Sequence, residues 1–184
     1  WGDSLKRITG LNYRRVRFLL EHDLALYACH LPLDGHPRLG NNALIAKALG
    51  LTRTRPFAIH GGREIGRAGT LKTPQSYEHF KRLVARVMGS AVHSMDFGKK
   101  TVRTVAVVSG GAPGDIEGAA RLGADVFLTG EANLAAYHLA REYGLNALFA
   151  GHYATEVFGV RALAPLLEKR FKVPAEFVNL GTPY

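Results

Sequence analysis

Apolar positions recur along this chain in two rhythms, and the change from one to the other marks its elements. In the last third, apolar runs of about four residues alternate with stretches whose apolar side chains return every three to four positions. The pattern predicts strand Val105 to Val108, helix Asp115 to Leu122, strand Asp125 to Leu128, helix Ala132 to Tyr143 and strand Ala147 to Ala150. A last helix opens near Thr155 with the stripe Val157, Val160, Leu163, Leu166 and Leu167. Three consecutive βα units require right-handed crossovers and parallel strands. Ligands of such sheets sit beyond the carboxyl ends of the strands, and those ends carry Ser109-Gly110-Gly111, Thr129-Gly130-Glu131 and Gly151-His152.

The earlier chain is less regular. An amphipathic helix is expected over about Asn12 to Glu21, then an apolar strand, Leu24 to Cys29, that ends at His30. In His30-Leu31-Pro32-Leu33-Asp34 the proline is expected to prevent helix and to stiffen a turn that brings His30 and Asp34 together. Asn41 or Asn42 can cap a structural helix, Ala43 to Leu49, closed by Gly50. Pro56 to Leu71 reads as glycine-punctuated strand. Thr73 and Pro74 are expected to cap and open a helix to about Val87, with Tyr77, Phe80, Val84 and Val87 as its buried stripe. Ala91 to Met95 and Val102 to Val108 read as strands joined by a polar turn at Gly98-Lys99-Lys100, and Pro174 to Val178 as a terminal strand. If the strand ending at His30 runs alongside the βα strands with their polarity, the chemistry-bearing side chains share one edge of the sheet.

Composition narrows the classes. The chain has 184 residues, 47% of them hydrophobic, enough to bury a proper core. It is read as one α/β domain over residues 1–184. A subdivision would join 1–50 with 104–184 as the main lobe and set 51–103 apart as an inserted or second lobe. Because the chain opens at Trp1 in mid-phrase, an upstream segment is expected, and the domain is read as N-terminally incomplete. No apolar run approaches the roughly 20 residues of a membrane helix. A single cysteine, Cys29, excludes an internal disulfide and fits a reducing cytoplasm. The net charge of +9 is uneven: residues 1–103 carry 18 Lys/Arg against 7 Asp/Glu, and residues 104–184 carry 6 against 8. Lys6, Arg7, Arg14, Arg15 and Arg17 cluster early, which suits phosphate-bearing partners or an ordinary solvated surface. No aromatic-interleaved basic motif accompanies the charge, so the surface reading is preferred.

His152 stands where a strand ends, and Glu156 follows four residues later within the first helical turn, so imidazole and carboxylate can face one point. Nitrogen and carboxylate oxygen suit a divalent first-row metal. The alternative is that His152 caps the helix and Glu156 offsets its positive end. Glu131 and His138, seven apart, could face the same way, with packing or capping as the other reading. The loop Ser109 to Asp115 could offer amides to an anion, though a plain βα turn explains it better. His36, His60, His79 and His93 find no partner in the sequence and read as packing or surface.

The segments HLPLD with LGNNALIAKALGL, then VAVVSGGA, GADVFLTGE and AGHYATE, in that order and spacing, resemble the NGG-interacting factor three family, whose bacterial members are often named GTP cyclohydrolase 1 type 2 homologues. The resemblance spans essentially the whole chain. It implies an α/β fold of two similar halves around mixed sheets, assembled through dimers into a toroidal homohexamer with metal sites facing an inner cavity. It also implies two divalent metal ions per subunit (Fe, Mn, Zn or Mg), with Asp34, His152 and Glu156 as ligands. His30 would stand beside the site as a proton-transfer group, and Glu131 is a weaker catalytic candidate. The family's histidine pair belongs a few residues before Trp1, so this chain holds only part of the ligand set. The implied activity is dinuclear metal-dependent hydrolysis of a nucleotide-type substrate, with hydroxide from a bridging water as nucleophile. The competing expectation is a non-enzymatic metal-binding ring that binds nucleic acid or a regulatory protein.

Overall fold

The computed structural model describes residues 7–182; Trp1 and Lys6 therefore lie outside the described residues. Seven helices and six strands follow in the order α1 (Gly10–Glu21), α2 (Leu31–Asp34), α3 (Asn41–Ala48), β1 (Leu51–His60), β2 (Arg63–Ser76), α4 (Tyr77–Met88), β3 (His93–Asp96), β4 (Thr101–Val107), α5 (Ile116–Arg121), β5 (Val126–Thr129), α6 (Leu134–Tyr143), β6 (Asn146–Phe149) and α7 (His152–Phe171), with a short 3-10 turn, Pro113–Asp115, leading into α5. The strands form one mixed sheet in the order β1-β2-β4-β5-β6-β3. β4, β5 and β6 are parallel to one another, as their βα connections require. The hairpin β1–β2 adds to β4 antiparallel, and β3 closes the other side antiparallel to β6.

Alternation along the central strands divides the core in two. Val105, Val107, Val126, Leu128 and Leu148 face one layer with Ile45 of α3 and Phe80 and Val84 of α4. Ala106, Phe127, Ala147 and Phe149 face the other, against Ile116 and Ala119 of α5 and Ala136 and Ala140 of α6. The parallel strands are apolar on both faces because helices cover both. Among the described residues, no helix is long and apolar enough to cross a membrane.

Several local expectations are corrected. Leu24 to Cys29 forms no strand and is exposed throughout: among the described residues no other strand lies beside it to complete a ladder. Pro174 to Val178 is likewise not a strand. Thr73 and Pro74 belong to β2 rather than to a helix start: Gln75 and Ser76 pair with Val102 and Thr101, and Ser76 Oγ caps α4 by accepting from His79 N–H. β3 and β4 are not a hairpin, since the Gly98 turn carries the chain from one edge of the sheet to its middle.

Candidate metal centre

His30 stands just before α2 and Asp34 closes it, so the two side chains lie one turn apart on the same side. Pro32 does not prevent this helix; it sits in the first turn, where its missing N–H breaks no helical bond. Asp34 is 3% exposed. Its Oδ1 accepts from Asn41 Nδ2 (2.7 Å) and Ser109 Oγ (3.1 Å), while Oδ2 is turned to His30 Nε2 at 3.8 Å. Asn42 in turn donates to Ser109 Oγ (3.1 Å) and accepts from Ser109 N–H (2.7 Å). These neutral amide and hydroxyl partners fix one oxygen of the buried carboxylate and leave the other aimed outward. Neither asparagine caps α3, whose N-cap is Gly40.

Across the gap lies the start of α7. His152 is its first residue and no side chain caps this helix, which removes the capping reading of His152. His152 Nδ1 meets Glu131 Oε1 at 2.5 Å, and Nε2 lies 3.2 Å from Glu156 Oε1. Burial disfavours a charged His152, but the hydrogen bond to Glu131 and the charge of Glu156 outweigh it and hold the imidazole pKa above its ordinary range. Burial pushes the Glu156 carboxyl up; the charge of His152 opposes this and that of Asp34 adds to it. His30, Asp34 and Glu156 each offer a ligand atom, all within 4.8 Å of one another. A buried carboxylate, a second carboxylate and an imidazole at this spacing have the donor chemistry a divalent cation takes.

The strand ends are bound together beyond the sheet proper. Gly130 N–H donates to Gly110 O (2.8 Å) and Gly151 N–H to Gly130 O (2.9 Å). Gly110 N–H donates to Thr155 Oγ1 (2.9 Å), which ties the loop after β4 to α7. Gly110 adopts φ +70°, and a Cβ there would collide with Glu156 Oε1 and lie 3.1 Å from His152 Nε2. Glycine lets the backbone pass directly under the donors.

Two cavities meet at Glu131, His152 and Glu156. One, about 260 Å³, is polar and is also lined by His30, Asp34 and His60. The other, about 530 Å³, runs along apolar Val157, Val160, Phe177 and Val178. All five candidates from the sequence, His30, Asp34, Glu131, His152 and Glu156, thus line one polar cavity. His138 does not: it is exposed on α6, edge-on to Tyr137, while Glu131 precedes that helix. His36 closes its own turn, with Nδ1 accepting from Arg38 and Leu39 N–H. Sequence reasoning missed Asn41, Asn42, Ser109 and Thr155, which orient the donors, and His60, whose Nε2 is 2.7 Å from Asp115 Oδ2.

The family model described as Duf34/NIF3 (NGG1p interacting factor 3) matches residues 2–182. A Deinococcus radiodurans protein named GTP cyclohydrolase 1 type 2 homolog is 46% identical over 182 residues, covering 99% of this chain and 69% of its own length. A Halobacterium salinarum protein of the same name is 43% identical over 185 residues, covering 99% and 72%. Among solved structures, TTHA1606 from Thermus thermophilus is similar with a TM-score of 0.86 at 35% identity, covering 100% of this chain and 72% of that one.

Proposed function

The chain belongs to the Duf34/NIF3 family, and from that premise we propose that it is a divalent-metal-dependent hydrolase of a nucleotide-type substrate, as the name GTP cyclohydrolase 1 type 2 homolog suggests for its relatives. One observation carries the reading: Asp34, buried and with Oδ1 saturated by Asn41 and Ser109, keeps Oδ2 free to face His30 and Glu156 within the 4.8 Å cluster. A buried carboxylate costs several kcal/mol, on the order of the desolvation of one ion, unless a cation answers it. Its neighbours here are neutral donors and an exposed histidine, His30.

In this proposal Asp34 and Glu156 would hold divalent metal together with His30 or His152. A bound divalent ion lowers the pKa of water and polarises the bond under attack. The chain's own residues supply the geometry. Asn41 and Ser109 orient Asp34, Glu131 orients the His152 ring through Nδ1, and Thr155 and Gly110 hold α7 against the strand ends. The apolar cavity beside Val157 and Val160 accepts the less polar part of the substrate. The chain is taken as one α/β domain that assembles into a homohexameric ring; the exposed Leu11, Phe18, Leu24, Leu26 and Tyr27 support an assembly that covers them.

Elemental mass spectrometry of chelator-free protein, followed by GTP turnover, tests the reading. Bound metal and turnover, both lost in Asp34→Ala, are expected. Full turnover in Asp34→Ala and Glu156→Ala would rule out metal-dependent hydrolysis at this site.

A further inference from the structure

His60 closes β1 at the tip of the β1–β2 hairpin, before Gly61 and Gly62, and it lines the polar cavity together with His30, Asp34 and Glu156. Its Nε2 lies 2.7 Å from Asp115 Oδ2 in the 3-10 turn that follows β4. Both side chains are half-buried, 38% and 20% exposed. The pair therefore joins the hairpin tip to the turn that leads into α5, and through it His60 is held in place at the cavity wall.

The other imidazoles of the cavity are committed. His152 has one nitrogen on Glu131 and the other facing Glu156. His30 Nε2 faces Asp34 and belongs to the group that can hold a cation. His60 differs. In the neutral tautomer that donates Nε2–H to Asp115, Nδ1 is the nitrogen left to accept a proton, and it has no hydrogen-bond partner among the described residues. An imidazole oriented by a carboxylate with its second nitrogen available is the arrangement that general acid–base chemistry uses.

We propose that His60 is the proton-transfer residue of this cavity and Asp115 the residue that positions it. The inference deepens the hydrolase reading and rests on it. As the oxygen of the attacking water bonds to the electrophilic atom of the substrate, His60 Nδ1 takes one of its protons. The electron pair of the bond that breaks goes to the departing nitrogen or oxygen, which receives that proton from the imidazolium. Water is consumed and His60 returns to its starting form.

The test uses the metal-loaded chain. Long-range 1H–15N NMR is expected to show His60 as the Nε2–H tautomer, and Asp115→Asn, whose side chain can also donate, is expected to disturb it. With GTP as substrate, His60→Ala is expected to lose about 100-fold or more in turnover, with metal content unchanged. Added imidazole should restore part of that loss in proportion to its concentration, an effect that a purely structural role does not produce. A wild-type Nδ1–H tautomer, undiminished turnover in His60→Ala, or a loss that imidazole leaves untouched would each overturn the assignment. Wild-type protein that carries metal yet leaves GTP intact would instead refute the substrate named in the preceding section, and the tautomer would still decide the pair.

Discussion

Gly110→Ala tests the site without removing any donor. Gly110 has φ +70°, and an L-residue in that conformation costs about 1–2 kcal/mol. The added Cβ also overlaps Glu156 Oε1 and lies 3.1 Å from His152 Nε2; both are side-chain ends, so the carboxylate swings aside at little cost in stability but leaves its place beside His152. The matched control is Gly89→Ala at the C-terminus of α4, with φ +65° and nothing within 4 Å of the new Cβ. It carries the backbone penalty alone. For a chain of this length each kcal/mol moves Tm by about 2–4 °C, so both variants should melt a few degrees lower through the shared backbone penalty. Because the overlap displaces a proposed ligand, metal affinity should fall by about 10–100-fold in Gly110→Ala and stay unchanged in Gly89→Ala. Calorimetry and competition with a metal indicator give the two numbers. Equal metal affinity in the two variants would refute the claim that backbone at Gly110 passes directly under the donors.

Other consequences can be checked separately. Asn41→Ala removes a donor from buried Asp34 and an acceptor from Gly159 N–H, and a loss of about 1–3 kcal/mol in urea denaturation is expected. Phe127, fully buried on β5, should cost about 3–5 kcal/mol on truncation to Ala, read from the calorimetric midpoint. Burial alone would raise the Asp125 carboxyl, but the N–H groups of Thr104 and Arg103 and the charge of Lys99 hold it below the ordinary 3.8. A lowered folded-state pKa adds stability above the unfolded value and loses it as pH falls through the folded one. The stability gap between wild type and Asp125→Asn should therefore be steady at neutral pH and shrink below 3.8; a gap that widened in acid would contradict this.

What could be read from the sequence was local and periodic. The apolar runs around Val105, Phe127 and Leu148 and the helical stripes between them define the parallel strands, and strand-end glycines followed by Glu131 and His152 locate the site. Pairing partners were not legible. Leu24 to Cys29 has the composition of a strand but pairs with no strand among the described residues, and composition does not show whether a neighbour exists. Gly98 looked like a hairpin turn because a turn's residues do not state which strands it joins. Asn41 and Asn42 looked like caps because asparagine does serve as one; their bonds to Asp34, Ser109 and Gly159 span up to 118 residues. His60 carried no local signal, since its partner Asp115 lies 55 residues away.

The position of β1 at the outer side of the sheet gives the basic residues of that strand a role apart from any ligand. An unpaired strand edge is a template on which another chain can add, and long, flat, apolar edges seed aggregates. β1 runs ten residues, long enough to be such a hazard. It carries Arg53, Arg55 and Pro56 on exposed positions, a register shift between Thr52 and Arg55, and left-handed backbone at Arg53 (φ 50°) and Ala58 (φ 61°). Charge repels a second copy, proline lacks the N–H that would bind it, and the irregular backbone spoils its register. Part of the chain's positive charge thus works against a second molecule adding to this edge of the sheet that carries the site.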